Sequence, residues 1–271
     1  MYMKKFFAIA ALLCCLSCVA LTACGEEENI IPIEEISIVQ PASTEIRAGE
    51  KFTLGFTTVP AEAAEEVHVN WEISNSQRLS YENGEFTALT CGTVKVTASV
   101  KGNEATDEIE LKVIPPQGYT QYSKTGYSLI YPSNWTYNAL GNIDTWNAND
   151  GTTTNMNMTT EPLNKTYMTA SGSIFQASYE TMYSLMGYTV NFTQPVKAEK
   201  SNYLGVDRVQ VTAVYTLTVG GTSMNIHQTQ MIFNNSDVNL SCVLTVTYRA
   251  EDYNDAATQL EKTVFSQFMP A

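Results

Sequence analysis

Histidine is nearly missing from this chain: 271 residues contain two, His68 and His227. Imidazole chemistry needs a histidine set beside a nucleophile, a carboxylate or further metal ligands. Two isolated ones almost exclude it by number. Basic residues are also scarce, 15 Lys and Arg against 28 Asp and Glu, for a net charge of −13. Phosphate backbones are held by clustered Lys and Arg, so no nucleic acid is expected as a partner and the acid excess serves solubility. Past residue 24 no apolar run approaches the ~20 residues that a membrane-crossing helix requires. Cysteine is confined as well. Four of the six lie within residues 1–24, leaving Cys91 and Cys242. That spacing suggests neither a metal set nor a disulfide framework. Both read as small residues packed in β structure, with a disulfide between them as the lesser alternative.

What is present is concentrated first at the N-terminus. Lys4-Lys5 precedes an apolar stretch from Phe6 to Ala20, closed by Leu21-Thr22-Ala23-Cys24-Gly25. A basic start, an apolar core and small residues before a cut are the parts of a secretory signal. Leu21-Thr22-Ala23-Cys24 resembles the lipobox of bacterial lipoproteins. That resemblance implies a signal peptide of residues 1–23, cleavage before Cys24, diacylglycerol on its thiol and, usually, acylation of the new amino group. Two or three acyl chains hold a protein stably in a lipid bilayer, whereas one is marginal. An ordinary cleaved signal and an uncleaved signal anchor are the alternatives. Residues 24–35, with Glu26-Glu27-Glu28 and Glu34-Glu35 around Pro32, read as an acidic tether. The run also resembles the surface-export signal of Bacteroides-type lipoproteins.

From residue 36 to 114 short strands alternate with period two. Phe52, Leu54 and Phe56 share one phase; so do Val67, Val69, Trp71 and Ile73, and again Val94, Val96, Ala98 and Val100. Asn83-Gly84 predicts a two-residue hairpin turn, because both positions tolerate positive φ. Some 80 residues patterned this way predict a small β-sandwich. The order Ala48-Gly49-Glu50, Val59-Pro60, Val69-Asn70-Trp71-Glu72-Ile73-Ser74-Asn75 and Asn83-Gly84-Glu85-Phe86 through Cys91-Gly92-Thr93-Val94 resembles the bacterial Ig-like domain, group 2. Gln77-Arg78-Leu79-Ser80 departs from that family's small apolar pattern. The resemblance implies a spacer or binding unit and no catalysis.

Pro115-Pro116-Gln117-Gly118 is the linker (115–118), since two prolines fix an extended chain and cannot continue a ladder. Residues 119–271 follow another order. An opening strand at Tyr127–Pro132 leads to a loop around Asn134-Trp135, an Asn/Thr-rich stretch from Asn142 and a strand over Thr154–Thr160. Phe175, Tyr179, Met182 and Met186 make one stripe of a helix over 173–186, with Ser171 or Ser173 as cap and Gly187 as terminator. Strands return at Thr189–Thr193, Val196–Tyr203, Val206–Val219, Met224–Phe233 and Leu240–Arg249, two of them joined by Gly220-Gly221. A last helix runs from about Asp252 to Phe268, with Tyr253, Ala257, Leu260, Val264 and Phe268 on one face. Tyr127-Ser128-Leu129-Ile130-Tyr131-Pro132-Ser133-Asn134-Trp135, Gly205-Val206-Asp207-Arg208 and Phe265-Ser266-Gln267-Phe268 resemble the PsbP-like superfamily, including the DcrB-like lipoproteins. The expected fold is multidomain: an all-β Ig-like sandwich followed by an α+β sandwich, an antiparallel sheet with two packed helices.

Chemistry is hard to find. His68 sits on the polar phase of its strand as a solvated surface residue, and His227, beside Asn225 and Thr229, reads as a half-exposed structural histidine. Gly221-Thr222-Ser223-Met224-Asn225 lacks the last glycine of a nucleophile elbow and opens a strand instead of a helix. In Asn147-Ala148-Asn149-Asp150-Gly151, registering Gly151 at the sixth position of a calcium loop puts Trp146 and Ala148 where ligands belong. A turn is the better reading. No catalytic, metal or cofactor site is therefore expected. Trp135 and Trp146, in segments that read as loops rich in Asn and Thr, are the candidate ligand contacts. The expected function is that of a non-enzymatic, extracytoplasmic lipoprotein on the cell membrane or outer surface. In it an Ig-like spacer presents a PsbP-like domain to an envelope or host protein, with glycan binding and an unfamiliar enzyme as alternatives.

Overall fold

The computed structural model describes residues 32–271 except 66 and 142. Cys24, the signal peptide and all but the last residues of the acidic tether lie outside the described residues. The chain is mostly β. The strands before the Pro-Pro linker are β1 (Glu35–Ile38), β2 (Glu45–Arg47), β3 (Lys51–Phe52), β4 (Phe56–Val59), β5 (Val69–Ile73), β6 (Leu79–Glu82), β7 (Glu85–Ala88), β8 (Gly92–Val100) and β9 (Thr106–Ile114). They form three small sheets, β1-β4, β2-β9-β8-β5 and β3-β7-β6. One core gathers their inward phase, including Ile36, Leu79, Phe86, Val94, Val96, Ala98, Leu111 and Val113. Asn83 and Gly84 take φ of 52° and 85°, so the β6–β7 hairpin closes through the positive-φ pair that its sequence predicts. His68 is exposed, and Trp71 is half-buried against the core.

After the linker come β10 (Tyr119–Lys124), β11 (Tyr127–Pro132), β12 (Thr136–Leu140), β13 (Ile143–Asn147), β14 (Asn155–Pro162), helix α1 (Gly172–Leu185), β15 (Thr189–Phe192), β16 (Lys197–Tyr203), β17 (Val206–Val219), β18 (Thr222–Asn235), β19 (Leu240–Arg249) and helix α2 (Asp255–Ser266). Eight of these strands make one antiparallel sheet, in the order β12-β13-β14-β19-β18-β17-β15, with β16 also on β17. The β10–β11 hairpin stands apart from it. Two expectations are corrected here. The turn expected around Asn134-Trp135 is there, but it leads into the β12–β13 hairpin, and the Asn/Thr-rich segment from 142 carries β13, which pairs with β14. The buried stripe of the last helix is Ala257, Glu261, Val264 and Phe265, so Leu260 is only partly covered and an acid lies inside.

Alternation divides this sheet cleanly. One face carries Trp146, Met156, Met158, Met231, Phe233, Leu244 and Val246, buried with Leu129, Val264, Phe265 and Phe268 in a core. The other face is covered at one end only. There α1 and a short turn at Lys165–Met168 pack Phe175, Tyr179 and Tyr167 onto Val209, Val211, Tyr215 and Ile232. Gly172 sets how close α1 lies. A Cβ at that position would run into the backbone carbonyl of Val196. Gly172→Ala must therefore push the start of the helix off the sheet. We expect it to destabilise the protein by about 1–3 kcal/mol, the usual cost of overpacking, measured as a lower urea midpoint with an unchanged slope.

Candidate functional site

Beyond α1 the second face is built from cross-strand partners, exposed or half-buried except for Thr245 and Gln228, which are buried. Asn138, Thr145, Asn157, Thr245 and Gln230 stand side by side on five consecutive strands. Thr136, Asn147, Asn155, Thr247 and Gln228 form the neighbouring row. Strands lie ~4.8 Å apart, so each row is about 19 Å long. All ten side chains are uncharged amides or hydroxyls. Some tie to each other: Asn157 Nδ2 donates to Asn155 Oδ1 at 2.9 Å, and Gln230 Nε2 to Thr245 Oγ1 at 3.2 Å.

Helix α1 makes a step beside these rows. Its inner residues are Phe175 and Tyr179. Its outer side leaves Leu185 84% exposed, Ile174 and Met186 each 57%. Beneath the step lies a crevice of about 230 Å³, walled by Phe175, Tyr179 and Met182 from the helix and by Thr159, Glu161, Gln230, Ile232 and Val243 from the sheet, with Tyr167 beside them. Two of its buried oxygens have no hydrogen-bond partner, Glu161 Oε1 and the Tyr179 hydroxyl. Burial, and then the Glu161 carboxylate, push the Tyr167 phenol up to about 12.

The sequence-selected residues fall elsewhere. Trp146 is fully buried on β13, its ring 5.1–5.5 Å from those of Tyr122, Tyr131 and Tyr137. It is core, and the expectation of a ligand contact there is corrected: its strand pairs with β14 in a register that turns it inward. Trp135 is half-buried in the bend before β12, packed against the same core. The loop at Asn147–Gly151 ends in an Asx turn, with Asp150 Oδ1 accepting from Thr152 N at 2.9 Å and from Thr152 Oγ1 at 2.6 Å. Cys91 and Cys242 are both free and buried. Burial pushes their thiols up to about 11 and about 12, which leaves them inert as nucleophiles.

No family model matches the chain, and no curated protein does. Solved structures similar to it include a Bacteroides thetaiotaomicron protein, 14% identical over 58% of this chain with a TM-score of 0.37. The match covers 49% of that protein, about half its length. The Ran-binding protein Mog1p of Saccharomyces cerevisiae is 9% identical over 57% of this chain and 96% of its own, TM-score 0.36. A Pseudomonas aeruginosa protein of unknown function is 13% identical over 53% and 92%, TM-score 0.30.

The first face holds two buried polar clusters that sequence reading missed. Asp144 accepts from Lys124 Nζ at 2.8 Å and from the Tyr127 and Tyr137 hydroxyls at 2.7 Å each. Burial opposes its ionisation, but those donors outweigh it and hold the carboxyl below its usual range. Glu261 of α2 is 5% exposed, and the Tyr253 hydroxyl donates to its Oε2 at 3.3 Å. Burial raises this carboxyl to about 7 against weaker opposition from Thr229 and Tyr253. His227 stacks on Tyr253 at 3.4 Å, and burial lowers its imidazole to about 4. A carboxyl raised when folded stabilises below its unfolded value, 4.5, and that contribution is lost as pH climbs toward about 7. An imidazole lowered when folded loses stability in the other direction, as pH falls from 6.5 toward about 4. Over the shared interval the two slopes oppose. Glu261→Gln removes one of them. At pH 8 the variant should be more stable than the parent by about 1–3 kcal/mol, and from pH 4 to 6.5 its stability should rise with pH, followed by urea denaturation at each pH.

Proposed function

We propose that this is a lipid-anchored, extracytoplasmic bacterial protein, without catalytic activity, that binds a protein partner through the α1 side of its C-terminal sheet. The lipobox-like Leu21-Thr22-Ala23-Cys24 supports the anchor. The first three sheets around one core support reading residues 36–114 as an Ig-like spacer, and the eight-stranded sheet with two helices supports a PsbP-like reading of 119–271. One observation carries the binding reading. Ile174 and Leu185 on one helix, and Met186 capping it, stand exposed beside a crevice, where a monomer gains nothing from them.

A second reading rests on the two uncharged rows. Asn, Gln and Thr in register suit the hydroxyls of a neutral glycan, a host polysaccharide or peptidoglycan strand lying across the sheet. Trp146 takes no part in either reading.

Cellular labelling and crosslinking test the first reading. Fatty-acid label should be present in the wild type and absent from Cys24→Ala. A photo-crosslinking residue at Ser173 should yield one discrete protein adduct in intact cells. Leu185→Glu should abolish the adduct while changing stability by no more than ~0.5 kcal/mol, as an exposed position allows. Label retained in Cys24→Ala removes the anchor. An adduct indifferent to Leu185→Glu removes the binding face, and glycan-array binding lost in Asn157→Ala moves the assignment to the second reading.

A further inference from the structure

The crevice under α1 has a more specific chemistry than its surroundings. Its volume, about 230 Å³, is below the ~300–1,000 Å³ of ordinary small-molecule sites. That selects a side chain or a small fragment over a sugar ring or a cofactor. Its walls are three aromatic rings, Tyr167, Phe175 and Tyr179, with Met182, Ile232 and Val243. Tyr167 and Phe175 lie stacked at 5.9 Å. Within this apolar lining sit the two oxygens without partners. Tyr179 is 6% exposed, and its hydroxyl can donate or accept. Glu161 is an acceptor beside the Tyr167 phenol, its Oε1 has no donor, and no Lys or Arg pairs with it among the described residues.

A buried oxygen without a hydrogen bond is destabilising, and a carboxylate with an open lone pair calls for a cationic donor. Aromatic faces attract the same cation through their quadrupole. Aliphatic walls need methylenes behind the charge. The chain's acid excess draws cations toward it and repels anions.

We propose that this crevice binds a primary alkylammonium group, with the ammonium between Glu161 Oε1 and the Tyr179 hydroxyl and the methylenes between Phe175, Met182, Ile232 and Val243. The two sources of that chemistry are a lysine side chain of the partner and a free aliphatic amine. The inference rests on the reading of the α1 side as the binding face, and it names what that face grips.

The test is a titration of the full chain in detergent, followed by the 13C-methyl resonance of Met182. Met156 and Met158, buried on the opposite face, serve as references. Butylammonium and Nα-acetyl-lysine amide should shift Met182 and leave the references in place, whereas Nα-acetyl-norleucine amide should shift neither. Glu161→Gln should weaken binding about 10- to 100-fold, the worth of a hydrogen bond to a charged group. Tyr179→Phe should weaken it less. Both variants remove or neutralise an unpartnered group, so each should melt no lower than the parent. Preference for the lysine derivative assigns the site to a partner's side chain; preference for butylammonium assigns it to a free amine. Norleucine amide binding as well as its lysine counterpart, unchanged affinity in Glu161→Gln, or tighter binding of butyltrimethylammonium overturns the proposal. If amines fail to bind while the Ser173 adduct still depends on Leu185, the crevice is misassigned and the binding face stands. If amines bind and that adduct is absent, the binding face fails instead.

Discussion

The register of β14 against β19, and of β19 against β18, is the constraint on which the C-terminal half of the chain depends. Met156, Met158, Leu244, Val246, Met231 and Phe233 all point to one face because their strands are paired in phase. A slip of one residue in any of these pairings would expose an apolar strand face and bury Asn, Thr and Gln without partners. The penalty falls on both faces at once. This fixes the sheet far more firmly than the propensities of β14, with two Asn, a Glu and a Pro, could, and it carries Trp146 into the core with its neighbours.

The second face then follows from a shortage of cover. Among the described residues one helix lies on it, and α1 spans only the end near β15 to β18, where Val209, Val211, Ala213 and Tyr215 offer an apolar bed. Toward β12 the residues of the same phase on β12, β13 and β14 are amides and hydroxyls, exposed or half-buried and content in water, so nothing drives a second helix onto them. The boundary between bed and polar rows is where the crevice lies. It is walled on one side by the helix and floored by residues of both kinds, Ile232 and Val243 beside Gln230 and Glu161. Gly172 allows the helix to approach this closely, and the aromatic contacts among Tyr179, Tyr183 and Tyr215 hold it there. The outer residues Leu185 and Met186 belong to the same helix but find no surface to cover.

Much of this was legible in the sequence, and the failures have a common cause. β17 and β19 follow Val206–Val219 and Leu240–Arg249 residue for residue, because alternation over ten or more positions is a strong signal. Asn83-Gly84 and Gly220-Gly221 mark turns through their φ requirements. The helical stripe from Phe175 predicts α1 to within a residue. By contrast, β12 reads Thr-Tyr-Asn-Ala-Leu and is exposed throughout, so it carries no inward phase to detect. Its strand character comes from pairing with β13 alone. Burial of Glu261 escaped notice for the opposite reason: an acid in a helical stripe is read as solvent-facing unless the partner surface is known. The crevice was beyond reach altogether. Glu161 and Tyr179 are eighteen residues apart, and only the angle at which α1 crosses the sheet brings them to one cavity.

Three acids on this sheet and its helix separate by what surrounds each. Asp144 has lysine and two phenols aimed at it and is saturated, so it fixes the β10–β11 hairpin to the sheet and has nothing left to offer a ligand. Glu261 is enclosed, and burial alone raises its carboxyl far enough to keep a proton into the neutral range. It meets its surroundings by giving up charge. Glu161 stands in a third setting, beside the Tyr167 phenol at the edge of the helix. It lines the crevice as a half-buried residue, and its buried Oε1 has no hydrogen-bond donor. A buried acceptor in the wall of a crevice, with no donor to its Oε1, is left for something that arrives from outside, and the rings and methyls around it suit an arrival that brings both a positive charge and an apolar stem.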